Sequence, residues 1–159
     1  MRAAASSPRT SATSPPGAEP AGAAAPRLYS HEDVVRFLEP DACIAAVREA
    51  MRNLTAGAFE QPLRSIVTLA PGRLFAQMPG VGHDELGFGA KLVSVYADPS
   101  RPGQSRHQGI VVVFDRASGA VRCLAEAGAI TEIRTGCASA VATDALARED
   151  ARVLAIFGT

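Results

Sequence analysis

Cysteine is scarce in this sequence, and neither sign of charge is in excess. The three cysteines are odd in number, lie far apart and include no CxxC pair: Cys43, Cys123 and Cys137. This pattern fits neither a disulfide framework nor a zinc site. Sixteen basic and sixteen acidic residues cancel, so no net charge draws the protein onto nucleic acid or an anionic membrane. We therefore expect a cytoplasmic protein without a metal site or a nucleic-acid partner.

Long apolar runs are also missing. None approaches the roughly 20 residues that a membrane helix requires, so we expect a soluble protein, and the 47% hydrophobic content is sufficient for one ordinary domain. Residues 1–26 are almost entirely Ala, Ser, Pro, Gly, Thr and Arg, which bury too little surface to offset the entropy of ordering. We interpret 1–27 as a disordered tail, with an organellar transit peptide as the alternative.

Two helices are predicted after the tail. Ser30 followed by Asp33 resembles a capping box, and Pro40 is expected to end the short helix that it starts. A second, amphipathic helix is expected from Asp41, with Gly57 as its C-terminal stop. Its apolar residues recur at three- and four-residue spacing: Ile44, Val47, Met51 and Leu54.

The middle of the chain has the patterns of a sheet. Residues 65–69 and 74–78 flank Pro71-Gly72, which predicts a hairpin. A strand is expected over 89–96, then a polar loop over 98–104. Residues 110–114 and 120–125 flank a turn at 115–119, which predicts a second hairpin. We therefore expect a mixed sheet of about five strands in an α/β (α+β) domain covering 28–150.

A long helix and a final strand are expected at the end of the sequence. Thr131 is a suitable N-cap for a helix through Leu146, with Asp144 and Arg148 as a charge pair one turn apart. Residues 153–157 form an apolar run of the buried-strand type that leads into Gly158. Such a strand is typical of the first βα turn of a dinucleotide-binding unit, although one glycine is a weak signal. We interpret 151–159 as the first strand of a truncated domain of that kind.

Two basic residues of the predicted sheet are candidates for binding an acid. Arg64 precedes a strand, where a guanidinium can hold a carboxylate with two parallel hydrogen bonds; the alternative is a solvated strand-end arginine. Lys91 lies inside an apolar strand, so its amine either faces solvent on an edge strand or is held in a polar site. A desolvated lysine has a lowered pKa and can transfer protons near neutral pH.

Further candidates lie at the last helix and before the second hairpin. Arg134 and Thr135 are expected in the first turn of the helix, where free N–H groups and the helix dipole favour anions. The alternative is a surface arginine paired with an acid of the same helix. His107 precedes an apolar strand, and a lone histidine there is more often an ordinary loop residue.

Several segments together resemble the ornithine cyclodeaminase/mu-crystallin family. They are 89–96 (GAKLVSVY), 106–115 (RHQGIVVVFD), 129–135 (AITEIRT), 138–143 (ASAVAT) and 151–159 (ARVLAIFGT). The resemblance covers the sequence from about Leu28 to the last residue. It implies a substrate-binding and dimerising domain followed by a Rossmann domain that binds NAD or NADP.

The resemblance also implies roles for individual residues. Arg64, Lys91 and Arg134 would contact the amino-acid substrate, with Lys91 transferring protons during catalysis. The cofactor would be contacted by Arg106, His107, Arg134, Thr135 and Gly158. The family has serine where Arg106 stands, which weakens the cofactor contact expected there, and the family's catalytic aspartate lies in the part of the Rossmann domain that we do not find.

Three functions are compatible with the resemblance. The first is an NAD(P)-dependent, ornithine cyclodeaminase-like enzyme that oxidises an amino acid to an imine with loss of ammonia. Related alanine dehydrogenases and ketimine or imine reductases form the second, and a non-catalytic crystallin-like binding protein or inactive truncated product forms the third. We expect a small amino-acid or imine substrate and a homodimer. The residues leave the substrate and the choice between NAD and NADP open.

Overall fold

The computed structural model describes residues 25–83, 87–96 and 107–157. The predicted tail up to residue 24, the predicted loop at 98–104, and the candidates Arg106 and Gly158 lie outside these ranges. No helix in the described ranges has both the length and the apolar character needed to cross a membrane.

Both predicted N-terminal helices form. Helix α1 covers His31–Phe37, and its capping box is confirmed: the Ser30 hydroxyl accepts from the Asp33 N–H at 3.2 Å, and the Asp33 carboxylate accepts from the Ser30 N–H at 2.9 Å. Helix α2 covers Pro40–Thr55, so Pro40 is its first residue, where the missing N–H costs no helical hydrogen bond. Gly57 follows it with a φ of 75°, the left-handed conformation of a helix C-terminal glycine.

The sheet has seven strands in the described ranges, two more than predicted. Both predicted hairpins form, and the missed strands are the short ones, which carry too few residues for a readable alternation. The strands are β1 (Arg27–Tyr29), β2 (Phe59–Glu60), β3 (Ser65–Ala70), β4 (Arg73–Gly82), β5 (Phe88–Tyr96), β6 (His107–Phe114) and β7 (Val121–Glu126). Their order is β1-β7-β6-β5-β4, after which β2 and β3 pair with different parts of β4. Only β1 and β7 run parallel, so the sheet is mixed as expected.

The helices cover one face of the sheet, which we call the helix face. Tyr29 of β1 meets Phe37 of α1 edge to face at 6.4 Å on this side. Ala76 and Val93, which pair across β4 and β5, are buried beneath the helices at 3% and 5% exposure. Buried residues of the helices complete the core: Val34, Cys43, Ala127, Ala129, Cys137 and Val141.

The opposite face, which we call the open face, has no helix on it in the described ranges. Strand alternation places Leu28, Val67 and Ile110 there, with exposures of 72%, 48% and 42%. An apolar sheet surface of this kind is unusual on a monomer.

The last helix, α3, covers Ala127–Leu146, and its N-cap lies five residues before the predicted one. The expected N-cap was wrong: Thr131 lies inside the helix, and Glu126 caps it instead. The Glu126 carboxylate accepts from the N–H groups of Gly128 at 2.6 Å and Ala129 at 2.8 Å. Glutamate is not a favoured N-cap residue, whereas threonine is, and the prediction therefore placed the cap at Thr131.

Two further expectations at the end of the chain were wrong. Asp144 pairs with Arg48 of α2 at 2.7 Å, not with Arg148, which lies 3.5 Å from Asp150. The long-range pair ties α2 to α3. Residues 151–157 form no strand, and the apolar run at 153–157 is largely exposed. A strand requires a neighbour to pair with, and in the described ranges none of the seven strands pairs with this segment; that 151–159 begins a dinucleotide-binding domain stays a prediction.

Candidate functional site

Lys91 occupies the middle of the sheet. Its strand, β5, lies between β4 and β6, so the alternative of an exposed edge-strand lysine is excluded. The side chain is half-buried on the helix face and donates a hydrogen bond from Nζ to Thr131 Oγ1 of α3 at 3.1 Å. Lys91 is also the only lysine in the sequence, which otherwise uses arginine for its basic residues.

The structure brings Arg64 and Arg134 near Lys91. Burial lowers the pKa of the Lys91 amine, and the positive charges of Arg134 and Arg64 lower that pKa further. Arg64 immediately precedes β3, whose first residue, Ser65, pairs with Gln77 of β4. The next residue of β4, Met78, pairs with Lys91, so only β4 lies between the strand that Arg64 precedes and the strand of the lysine. We call Arg64, Lys91 and Arg134 the cation cluster.

The cation cluster has no acidic partner in the described ranges. None of its members lies within 4.0 Å of a carboxylate there, whereas Arg48 and Arg148 both do. Three like charges gathered without an acid repel one another and disfavour the protonated lysine. A bound anion would reverse both effects, so the cluster has the electrostatics of an anion-binding site.

Two adjoining cavities lie beside two members of the cation cluster, Lys91 and Arg134. One, of about 330 Å³, is lined by Lys91 together with Met78, Val111 and the paired Gly80 and Gly89. The other, of about 370 Å³, lies between Arg134 and α2. Its walls are mainly apolar: Val47, Ala50, Met51, Leu54 and Phe59. Phe59, Gln61 and Gly80 line both cavities, which leaves room for a small molecule that touches lysine and arginine together.

Glu60 is the acid of the second cavity. Its side chain is 71% exposed, and its Oε1 atom lies 3.7 Å from His83 Nε2. The carboxylate therefore stands at the rim, paired with a histidine and not with Arg134. It leaves the charge of the cluster uncompensated.

The reason given for Arg134 from the sequence was wrong, although the residue does lie at the site. Arg134 is the eighth residue of α3 and so lies two turns beyond its start. The free N–H groups of the first turn are engaged by Glu126, so the helix N-terminus is not open to a ligand. Arg134 also makes no ion pair with Glu132 or Asp144. Its guanidinium contributes through its own charge and its place in the second cavity.

Of the described residues expected to contact a cofactor, Arg134 belongs to the cation cluster, and Thr135 and His107 do not. Thr135 is exposed on α3, where its hydroxyl donates to the carbonyl of Thr131 at 2.6 Å. His107 starts β6 on the helix face, opposite Val95. Val111, which pairs with Lys91, lies four residues further along β6, or about 13 Å at the usual rise per residue.

Two contributors to the site were not identified from the sequence. Thr131 was expected to be a helix cap, yet it is the hydrogen-bond partner of Lys91. Phe59 lies on a two-residue strand and lines both cavities; no local pattern marks such a residue. In the described ranges, no group of three or more His, Cys, Asp or Glu side chains is arranged to hold a metal ion.

Comparison with known proteins gives relatives over most of the chain. Ketimine reductase mu-crystallin of Mus musculus is 32% identical over 139 residues, covering 84% of this chain and 44% of the relative. A Delta(1)-pyrroline-2-carboxylate reductase of Bacillus cereus is 34% identical over 133 residues, covering 83% and 41%. The chain thus spans less than half the length of these relatives.

A solved structure shares the fold. Delta(1)-pyrroline-2-carboxylate reductase of Thermococcus litoralis, in complex with NADH and L-proline, superposes with a TM-score of 0.71 at 31% identity. The match covers 78% of this chain and 39% of that one. Residues 25–159 match the family described as "Ornithine cyclodeaminase/mu-crystallin family". On this match and on the identity to its relatives, the chain belongs to the ornithine cyclodeaminase/mu-crystallin family.

Proposed function

We propose that the cation cluster binds the carboxylate of a small amino acid or of the corresponding imine. This would make the chain the substrate-binding part of an NAD(P)-dependent enzyme that interconverts the two. The observation that carries the proposal is a half-buried lysine that has two arginines close enough for their charges to lower its pKa, and no acid paired with any of the three in the described ranges. Family membership supplies the class of reaction.

The three cations suit different parts of such a ligand. A guanidinium matches the geometry of a carboxylate and holds it with two parallel hydrogen bonds, a role that fits Arg64 and Arg134. Lys91 is a compact charge with three donors, and its lowered pKa brings proton transfer closer to neutral pH. In the proposed site, the arginines fix the orientation of the acid and Lys91 Nζ exchanges a proton with the substrate.

The cofactor would take part in hydride transfer: NAD or NADP would exchange a hydride with the α-carbon of the substrate. Thr135, His107 and Arg134 are the described candidates for contacting it. Arg134 belongs to the cation cluster, whereas Thr135 lies on the exposed side of α3 and His107 at the far end of β6. The assignment of NAD or NADP therefore rests on family membership. The residues of this chain would orient the carboxylate so that the α-carbon is presented to the nicotinamide.

Reduction of a cyclic imine is the reaction that we favour. The wall that α2 gives to the second cavity is apolar, which suits a compact hydrocarbon ring better than a charged side chain. Two relatives named above are a ketimine reductase and a Delta(1)-pyrroline-2-carboxylate reductase. The second candidate is ornithine cyclodeamination. Glu60 favours it, because a carboxylate at the cavity rim can pair with a terminal ammonium group.

Isothermal titration calorimetry of the 159-residue chain distinguishes imine reduction from ornithine cyclodeamination. L-Proline represents the cyclic product and L-ornithine the diamino acid. We expect saturable binding of L-proline, at least tenfold weaker binding to Arg134→Ala because a charged hydrogen bond is lost, and wild-type binding to Arg148→Ala. Arg148 is the matched control because it is an exposed arginine past the end of α3. Stronger binding of L-ornithine would favour the cyclodeaminase, and failure of both ligands to bind would contradict the proposed site.

The open face is proposed as the interface of a homodimer. It presents Leu28, Val67 and Ile110 to solvent, and the described chain has no element that covers it. A second copy would bury this surface against its own equivalent, the commonest arrangement of soluble oligomers. The face lies opposite the cation cluster, so dimerisation through it would leave both sites accessible.

A further inference from the structure

Thr131 connects Lys91 to the backbone of α3. Lys91 Nζ donates to Thr131 Oγ1 at 3.1 Å, and Thr131 Oγ1 donates to the carbonyl of Ala127 at 2.6 Å. A threonine hydroxyl has one hydrogen and two lone pairs. With the hydrogen committed to Ala127, only lone pairs face the lysine, so Thr131 is an acceptor towards Nζ.

The carbonyl that fixes the hydroxyl is itself held firmly. Ala127 is 1% exposed, as is Ala129 one half-turn later, and the N–H groups of this turn are capped by Glu126. The first turn of α3 is therefore packed on the sheet and closed at its end. A hydroxyl anchored there has little freedom to follow a moving side chain.

The surroundings of Lys91 make this acceptor important. Both charged groups that affect its pKa are cations, and repulsion from them would turn a flexible lysine towards solvent. Thr131 is the hydrogen-bond partner of Nζ in the described ranges. We propose that Thr131 is a positioning residue, which holds one N–H of the Lys91 ammonium group and leaves the other two directed towards the bound acid.

The positioning role of Thr131 rests on the proposed function only in that Lys91 acts on a substrate. Orientation of the amine by Thr131 is a property of the free chain and can be measured without a ligand. The two ideas can therefore fail separately.

Because Lys91 is the only lysine, NMR of the chain labelled with ¹³C-lysine gives one ε-methylene signal, whose pH titration reports the pKa of Lys91. An acceptor favours the charged amine, so Thr131→Val, which keeps the shape but removes the hydroxyl, should lower that pKa below the wild-type value. Thr131→Ser should restore it. Thr143→Val is the control: Thr143 makes the same backbone bond in α3, to Ser139 at 2.9 Å, but lies at the exposed end of the helix.

An unchanged Lys91 pKa in Thr131→Val would overturn the proposal, as would an equal change in Thr143→Val. If Thr131→Val does not fold, Thr131→Ala takes its place in the same titration. Binding of L-proline gives the second readout: Thr131→Val should bind several-fold more weakly and Thr131→Ser as wild type. If Thr131→Val lowers the Lys91 pKa but the wild-type chain does not bind L-proline, the positioning role stands and the proposed function is rejected. If the wild-type chain binds L-proline but Thr131→Val leaves the Lys91 pKa unchanged, the positioning role is rejected and the proposed function stands.

Discussion

Replacing Glu126 by alanine should loosen the helix that carries two of the site's polar side chains. The Glu126 carboxylate accepts the N–H groups of Gly128 and Ala129 at 2.6 and 2.8 Å, which are the second and third residues of α3. Loss of an N-cap costs about 1 to 2 kcal/mol in the free energy of unfolding. For a chain of this size the melting temperature should fall by roughly 3 to 8 °C.

The charge of Glu126 can be tested separately from its hydrogen bonds. Glu126→Gln keeps one carbonyl acceptor but loses the favourable interaction of the carboxylate with the helix dipole, and should cost about half as much. Partial burial is the largest single influence and opposes ionisation of this carboxyl, but hydrogen bonds from Ala129, Gly128 and His31 together outweigh burial and hold its pKa below the ordinary value. The stabilisation is therefore complete above the ordinary pKa and disappears as the pH falls through the lowered one.

Urea denaturation followed by circular dichroism is the appropriate assay. Glu132→Ala is the matched control, since Glu132 is an exposed acid on the same helix. Equal unfolding midpoints for wild type and Glu126→Ala at neutral pH would refute the reasoning. So would a loss in Glu126→Gln that persists unchanged in acid.

Two other predictions concern charge and surface. Lys91→Met should raise the free energy of unfolding at neutral pH by less than about 1 kcal/mol, because the folded state lowers the pKa of Lys91 and so resists its protonation. The unfolded chain binds that proton more readily, so the free energy of unfolding of the wild type should rise with pH between the lowered pKa and the ordinary value near 10.5. A Lys91→Met chain that is less stable than wild type at neutral pH would contradict the prediction for this variant. Ile110→Asp, on the open face, should convert a dimer to monomers in sedimentation velocity, and a wild-type chain that sediments as a monomer at high concentration would exclude the proposed interface.

Local signals in the sequence predicted most of the fold. The capping box at Ser30, the stop at Gly57 and the turn at Pro71-Gly72 are all encoded by residues within one turn of where they act. The structure confirms each of them. What the sequence missed depends on distant residues. The pair between Arg48 and Asp144 joins residues 96 positions apart, and no periodicity reports it.

The site, too, was predicted where local sequence is informative and missed where distant residues decide. Lys91 was predicted as a site residue because an amine inside an apolar strand requires a polar environment, and in the structure it is a half-buried hydrogen-bond donor. Arg134 was selected for a position at the helix start that it does not occupy, because the N-cap of α3 was misplaced by five residues. Its approach to Lys91 comes from the packing of α3 on the sheet, which only three-dimensional structure reveals.

The most direct test of the cation cluster compares L-proline with L-prolinamide. The two share the ring and the amine, but the amide has no negative charge for Arg64, Lys91 and Arg134 to bind. We predict that the chain binds L-proline saturably in calorimetric titration and that L-prolinamide gives no measurable heat at the same concentrations. Equal binding of the two compounds, or binding of neither, would contradict a carboxylate site at the cluster.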